Sequence, residues 1–191
     1  MILPVNIHTH RPRPGETTLP AEGIHPWEAA GDWTLREPSA ACRAIGEIGL
    51  DYACPVDRGR QELLLRAQLQ QAERLGLPVV LHCVRAFEPL MKILDGRRLR
   101  AVIFHGFIGS AFQAGAALKR GYFLSFGERS LRSPRTVEVL RGMPGEFLFL
   151  ETDDSPTPIG EIYRRAAVVR GCTEEELLRT VQENYERIFR L

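Results

Sequence analysis

Five histidines and a few carboxylates carry the chemistry that this sequence could perform. His8 and His10 are two residues apart, so in an extended segment both imidazoles project from the same side. His25, His82 and His105 each come after a short apolar run, and Glu47 and Asp153 come after two more. Imidazole nitrogens together with carboxylate oxygens suit zinc, manganese or iron, and magnesium where water completes the shell. A lone His-x-His pair or a single buried histidine has ordinary structural explanations. The same residue types recurring at equivalent positions of successive runs do not, and the pattern points to a divalent metal centre.

The elements that must position these residues are strands followed by helices. Apolar runs near residues 5–7, 19–24, 42–45, 78–81, 101–104, 122–126 and 147–150 read as short strands buried on both faces. Helical patterns cover 57–75 up to Gly76, 86–94, 110–120 up to Gly121, and 158–170 up to Gly171. Thr173-Glu174-Glu175-Glu176 is a capping box that opens a last helix. This alternation predicts an α/β fold with a parallel sheet, open or closed. A full eight-unit barrel takes about 250 residues. With about seven strands, the chain is expected to form a distorted, shortened TIM-like barrel, whose strand ends meet on one face where active sites form. Residues 11–20 are Pro-rich and read as a loop, too short for a helix and another strand.

At 191 residues, 44% hydrophobic and 26% charged, the chain has the composition of one soluble globular domain spanning 1–191. No apolar run approaches the length of a membrane span, and no secretory signal is visible, so no membrane association is expected. Cys42, Cys54, Cys83 and Cys172 lack metal-finger or redox spacing and are expected to be reduced thiols of a cytoplasmic protein. The net charge of +1 gives no global field for nucleic acid. No obligate protein partner is evident.

The motifs His8-Thr9-His10, Gly23-Ile24-His25-Pro26, Gly46-Glu47-Ile48-Gly49-Leu50-Asp51-Tyr52, Leu81-His82-Cys83-Val84-Arg85, Phe104-His105-Gly106-Phe107 and Glu151-Thr152-Asp153 run nearly end to end. In this order the sequence resembles the TatD-type metal-dependent hydrolases, relatives of the amidohydrolase barrels. The resemblance implies one or two divalent ions, magnesium, manganese or zinc. His8, His10 and Asp153 would hold the first ion, His82 and His105 the second, and Glu47 would bridge them. His25 would contact substrate or support the ligands. One departure is Asn6, where the family often has Asp two residues before the first His.

Such ligands support hydrolysis by a metal-activated water, with Asp153 orienting the water and taking its proton. Arg11, Arg13, Arg85, Arg129, Arg132 and Arg135 lie after strand ends, and arginine grips phosphate oxygens in a two-pronged fork. Arg85 is the foremost substrate contact among them. Trp27, Phe87 and Phe107 could stack bases, although packing beside a strand end is the favoured reading of each. The resemblance implies a deoxyribonuclease, with DNA or another phosphodiester as substrate. The alternatives are an amide or carboxylic-ester hydrolase on the same barrel and a non-catalytic metal-binding protein. Asp154 is expected to serve a turn, and Cys83 to be a buried structural thiol pointing away from His82.

Overall fold

A computed structural model describes residues 2–189, which divide into two compact units. Residues 20–104 make the first. Its strands β3 (Ala21–Glu22), β4 (Ala44–Asp51), β5 (Val79–Val84) and β6 (Val102–Phe104) pair in that order, all parallel. Parallel strands covered by helices are buried on both faces, and Ile45, Ile48, Val79, Val80, Leu81 and Ile103 are almost wholly buried.

Helix α1 (Arg58–Leu75) and helix α2 (Phe87–Leu94) complete this unit. The Asp57 carboxylate accepts from the Arg60 N–H at 2.9 Å to start α1. Gly76, in the left-handed conformation at φ 63°, ends it. The core face of α1 contains Leu64, Leu65, Leu69 and Ala72, but also two buried glutamines, Gln61 and Gln68. Sequence periodicity does not anticipate these two.

The expected end of the third run at Gly46-Glu47 is corrected by the structure: β4 continues to Asp51. Its partners step from Ile45↔Val79 to Ile48↔Leu81, so Gly46 and Glu47 together face Val80 in a β-bulge. The two glycines look like punctuation in sequence, yet they permit close backbone contact instead. A Cβ on Gly49 would fall 1.9 Å from the His82 carbonyl oxygen, and one on Gly46 would fall 2.7 Å from Val80 Cβ. Likewise β5 runs past His82 to Val84, so His82 lies within the strand.

The second unit joins the N-terminal segment up to Leu19 with the chain from His105 onward. It contains β1 (Val5–Asn6), β2 (Thr17–Thr18), β7 (Phe123–Phe126) and β8 (Leu148–Leu150). Strand β1 pairs with β2 and β7 with β8, in parallel both times. The β2 pairing corrects the expectation of a plain loop over 11–20. Parallel neighbours usually need a crossover of about a dozen residues, but two-residue strands need only the loop from Ile7 to Glu16 to bring Val5 opposite Thr17.

Helices α3 (Ala111–Leu118), α6 (Ile159–Arg170) and α7 (Glu174–Phe189) occupy the expected segments. The capping box at Thr173 is formed: Glu176 N–H donates to Thr173 Oγ1 at 3.2 Å, and Thr173 N–H donates to the Glu176 carboxylate at 2.8 Å. Helices α4 (Glu128–Leu131) and α5 (Pro134–Gly142) lie in a stretch without a clear apolar period. Their inner positions include Ser130 and Thr136, buried hydroxyls that replace apolar anchors; Ser130 donates to the Phe107 carbonyl at 2.8 Å. Among the described residues no helix is long and apolar enough to cross a membrane.

Candidate metal centre

In the unit formed by the two chain ends, backbone pairing assembles the first cluster. The Ile7 N–H donates to the Leu150 carbonyl at 3.1 Å, carrying β1 along β8. Beyond both strands, Thr9 and Asp153 form a parallel bridge: Asp153 N–H donates to the His8 carbonyl and His10 N–H to the Asp153 carbonyl, both at 3.0 Å. His8 and His10 therefore flank Asp153, whose own backbone turns out at φ 53°. Their Nε2 atoms lie 3.8 and 3.5 Å from Asp153 Oδ1, and the two rings are 4.9 Å apart.

His105 comes directly after β6, and its ring lies 4.4 Å from the His8 ring, tilted by 54°. Its Nδ1 is 3.3 Å from Oε1 of Glu151, which is wholly buried. Burial alone would raise the Glu151 carboxyl, but the charges that His105 and His8 can carry outweigh it and hold the group below its ordinary value. Asp153 goes the other way: burial and then the Glu151 charge push its carboxyl up. Glu151 Oε2 is buried without a hydrogen-bond partner. The sequence places Glu151 in the Glu151-Thr152-Asp153 motif without giving it a ligand role, although its position two residues before Asp153 in an extended segment gives it the same side.

Asn6 supports this cluster. It is buried, accepts from Thr152 N–H at 3.0 Å and donates through Nδ2 to Thr152 Oγ1 at 2.9 Å and Glu16 Oε1 at 3.3 Å. Thr152 Oγ1 donates in turn to Thr9 Oγ1 at 2.9 Å. An ionised Asp has no hydrogen to donate, so the Asn at this position suits the local network.

The second cluster lies within residues 20–104. His82 Nδ1 is 2.5 Å from Glu47 Oε1, and its Nε2 is 3.3 Å from Asp51 Oδ2. His25 Nε2 is 3.4 Å from Glu47 Oε1. His25 Nδ1 accepts the Trp27 N–H at 3.2 Å, which in a neutral imidazole leaves the proton on Nε2, facing Glu47. Asp51 also accepts from the Trp27 indole N–H at 2.7 Å and from the Ala53 and Cys54 N–H groups. Burial opposes its ionisation, but the bonds from Trp27, Ala53 and His82 prevail and hold its carboxyl below the usual value. Asp51 lies four residues after Glu47 in β4, and it too is given no ligand role by the sequence.

Two buried glutamines of α1 hold the segments that carry these groups. Gln61 accepts the Asp51 N–H at 2.7 Å and donates to the Asp51 carbonyl at 2.9 Å. Gln68 does the same for Ile24, at 2.7 and 3.0 Å, just before His25.

His8, His10 and Asp153 form one set of donors within 4.8 Å of one another; His105, Glu151 and Asp153 form a second, and His25, Glu47 and His82 a third. Most of the nitrogen–oxygen separations in these sets, 3.3–3.8 Å, exceed the usual hydrogen bond of about 2.9 Å. The His25–Glu47 and His105–Glu151 separations, 3.4 and 3.3 Å, equal the edge of a coordination shell, about 3.0–3.4 Å for ligand bonds of about 2.1 Å, whereas the His8 and His10 separations from Asp153 are longer, at 3.8 and 3.5 Å. Mixed nitrogen and oxygen donors with a buried, ionised carboxylate fit a divalent ion.

The other expected contacts are only partly retained. Arg13 donates to the Pro156 carbonyl at 2.6 Å, Arg129 pairs with Asp154 at 2.9 Å, and Arg132 pairs with Glu128. Half of the expected arginine set is thereby engaged within the protein, and Asp154 is an exposed pairing residue beside a turn. Arg11, Arg85 and Arg135 are exposed. Phe87 and Phe107 are buried packing residues, whereas Trp27 is 59% exposed and does not pack in the core. Cys83 is half-buried rather than buried, because the last three residues of β5 are only partly covered; its thiol is nonetheless pushed up to about 12 by burial.

Fold and clusters together define an α/β protein with histidine and carboxylate sets that could hold a divalent ion. The family model for TatD related DNase matches residues 6–190, and the chain belongs to that family. It is 31% identical over 170 residues to the uncharacterized metal-dependent hydrolase YabD of Bacillus subtilis (strain 168), covering 78% of this chain and 65% of that protein. It is also 31% identical over 202 residues to the 3'-5' ssDNA/RNA exonuclease TatD of Erwinia tasmaniensis, covering 88% of this chain and 77% of that one. Among solved structures, the TatD homolog YJJV of Escherichia coli K12 superposes with a TM-score of 0.80 at 27% identity, over 91% of this chain and 77% of that chain. The shortened α/β fold expected from the run of strands and helices is thus the fold of TatD proteins.

Proposed function

We propose that this protein is a divalent-metal-dependent phosphodiesterase acting on DNA, working in the cytoplasm with residues 1–191 as one hydrolase domain. His8, His10 and Asp153 would hold a first ion, His82 and His105 a second, and Glu47 would be shared between them. Magnesium, manganese and zinc all suit this donor set. The observation that carries the proposal is the Asp153 bridge, which holds one carboxylate between two imidazoles by backbone hydrogen bonds on both sides. The nuclease names of the family and of the Erwinia relative support the substrate class.

A bound ion supplies Lewis acidity, polarising the ester and bringing the deprotonation of water toward neutral pH. Asp153 orients the attacking water with one carboxylate oxygen and takes its proton. Glu151, kept ionised beside His105, fixes that ring. His25, whose Nε2 lies 3.4 Å from Glu47 Oε1, contacts substrate or supports the ligands, and Arg85 meets the phosphate of the substrate.

The test strips the protein with chelator and assays it with magnesium, manganese or zinc. The substrates are single-stranded DNA, duplex DNA, RNA, a generic phosphodiester and acyl esters. Metal-restored cleavage of DNA is expected. Hydrolysis of acyl substrates alone would assign an amide or ester hydrolase instead, and no turnover with any metal would leave a metal-binding protein.

A further inference from the structure

An exposed tryptophan needs a reason, because large aromatic rings are normally covered. Trp27 is 59% exposed, yet it is firmly held. It lies in a 3-10 turn, Pro26–Ala30, that is fixed at both ends. At the start, His25 and Glu28 form a reciprocal cap: the Trp27 N–H reaches His25 Nδ1 and the His25 N–H reaches the Glu28 carboxylate. At the end, Arg60 of α1 donates to the Ala29 carbonyl at 2.7 Å and the Gly31 carbonyl at 2.6 Å. The indole N–H donates to Asp51 at 2.7 Å, which sets the ring orientation. The ring centroid is 4.7 Å from His25 and 6.4 Å from His82. An oriented, solvent-facing aromatic ring thus stands within one side chain of the Glu47 cluster.

Resting on the phosphodiesterase assignment above, we propose that Trp27 is the platform on which a nucleobase of the substrate stacks, next to the ester to be cleaved. Every base offers a planar face, so stacking binds any sequence and prefers nucleotides to bare phosphodiesters. The ring is ordered before binding, so little freedom is lost when a base settles on it. Trp27 is here a substrate-positioning residue and not a metal ligand.

The experiment uses the full chain carrying Trp33→Phe, which leaves Trp27 as the one tryptophan. Binding of octathymidylate and of an equally long abasic phosphodiester is followed by indole fluorescence in chelator, and cleavage of both is followed with metal. Quenching by octathymidylate and not by the abasic strand is expected, with affinity for the base-bearing strand higher by about 5- to 150-fold, the usual worth of one stacked base. With Trp27→Ala, binding followed by anisotropy of labelled strands should lose this preference, raising KM for octathymidylate with little change for the abasic strand; Trp27→Phe should restore most of it. If Trp27→Ala leaves the ratio between strands unchanged while DNA is still cleaved, the platform is refuted and the nuclease assignment stands. If the unaltered protein neither binds nor cleaves either strand, both fail. If it cleaves both equally, without quenching, the platform alone fails.

Discussion

Gln61→Leu isolates the contribution of a buried side chain that touches no ligand atom. Gln61 is fully buried, and its amide accepts the N–H of Asp51 at 2.7 Å and donates to the carbonyls of Asp51 and Val56 at 2.9 and 3.1 Å. Leucine has similar volume and similar helix propensity, so neither packing nor the helix itself should suffer much. The loss is the partner of three backbone groups, of which the Val56 carbonyl, 3.1 Å from Gln61 Nε2, is only half-buried, so the two on Asp51 decide the cost. A buried group left unsatisfied costs about 1–3 kcal/mol. The Asp51 N–H would bear the full cost, whereas the Asp51 carbonyl keeps the weak Cys54 thiol contact at 3.2 Å. The sum is about 2–4 kcal/mol, a large share of the roughly 5–15 kcal/mol that typical domains have. At roughly 2–4 °C per kcal/mol for a chain of this size, the melting temperature should fall by about 4–16 °C. Urea unfolding followed by circular dichroism measures it, with an unchanged m-value showing that the denatured state is unaltered. A loss below about 0.5 kcal/mol would mean that water reaches the end of β4, and that the glutamine does not hold Asp51 there.

Three further outcomes are expected. Asp153→Asn should leave metal content, measured by elemental analysis, largely intact while cutting phosphodiester turnover by about 10²-fold or more; Glu47→Gln should instead lower the metal content. Proportional loss of metal and rate in Asp153→Asn, with rescue by added metal, would make Asp153 a ligand only. Cys83→Ser should leave metal-dependent activity within a few-fold, since burial disfavours the thiolate that a ligand or nucleophile needs; a loss as large as that of His82→Ala in a folded variant would contradict this. Glu128 is held down to about 2 by its bonds from Ser155, Thr157 and Arg132. Its folded-state value is depressed, so its stabilisation is complete above the unfolded value near 4.5 and disappears as pH falls toward 2. Glu128→Gln should therefore destabilise at neutral pH and flatten the acid end of a melting-temperature profile; an unchanged profile would discount these bonds.

Much of this protein is legible in local sequence. Each apolar run with a polar terminus specifies a strand and the turn or helix after it, because burial on two faces needs no knowledge of the neighbours. The Asp57 cap and the Gly76 stop delimit α1 for the same reason: both act within one turn of chain. The histidines were legible because their type and their place after apolar runs are properties of the chain itself. Tertiary structure decided the rest. Whether Gly46 and Gly49 end a strand or admit a neighbouring backbone depends on β5, which lies more than thirty residues away in sequence. Gln61 and Gln68 look like solvated helix residues until the backbone groups they satisfy are folded against them. Glu151 and Asp51 are ordinary acids in sequence. One becomes a buried ionised group because His105 and His8 lie beside it, and the other holds an exposed tryptophan because β4 runs on past its glycines. The charge state of a buried carboxylate is set by neighbours within a few ångströms, and only the folded chain brings such distant residues together.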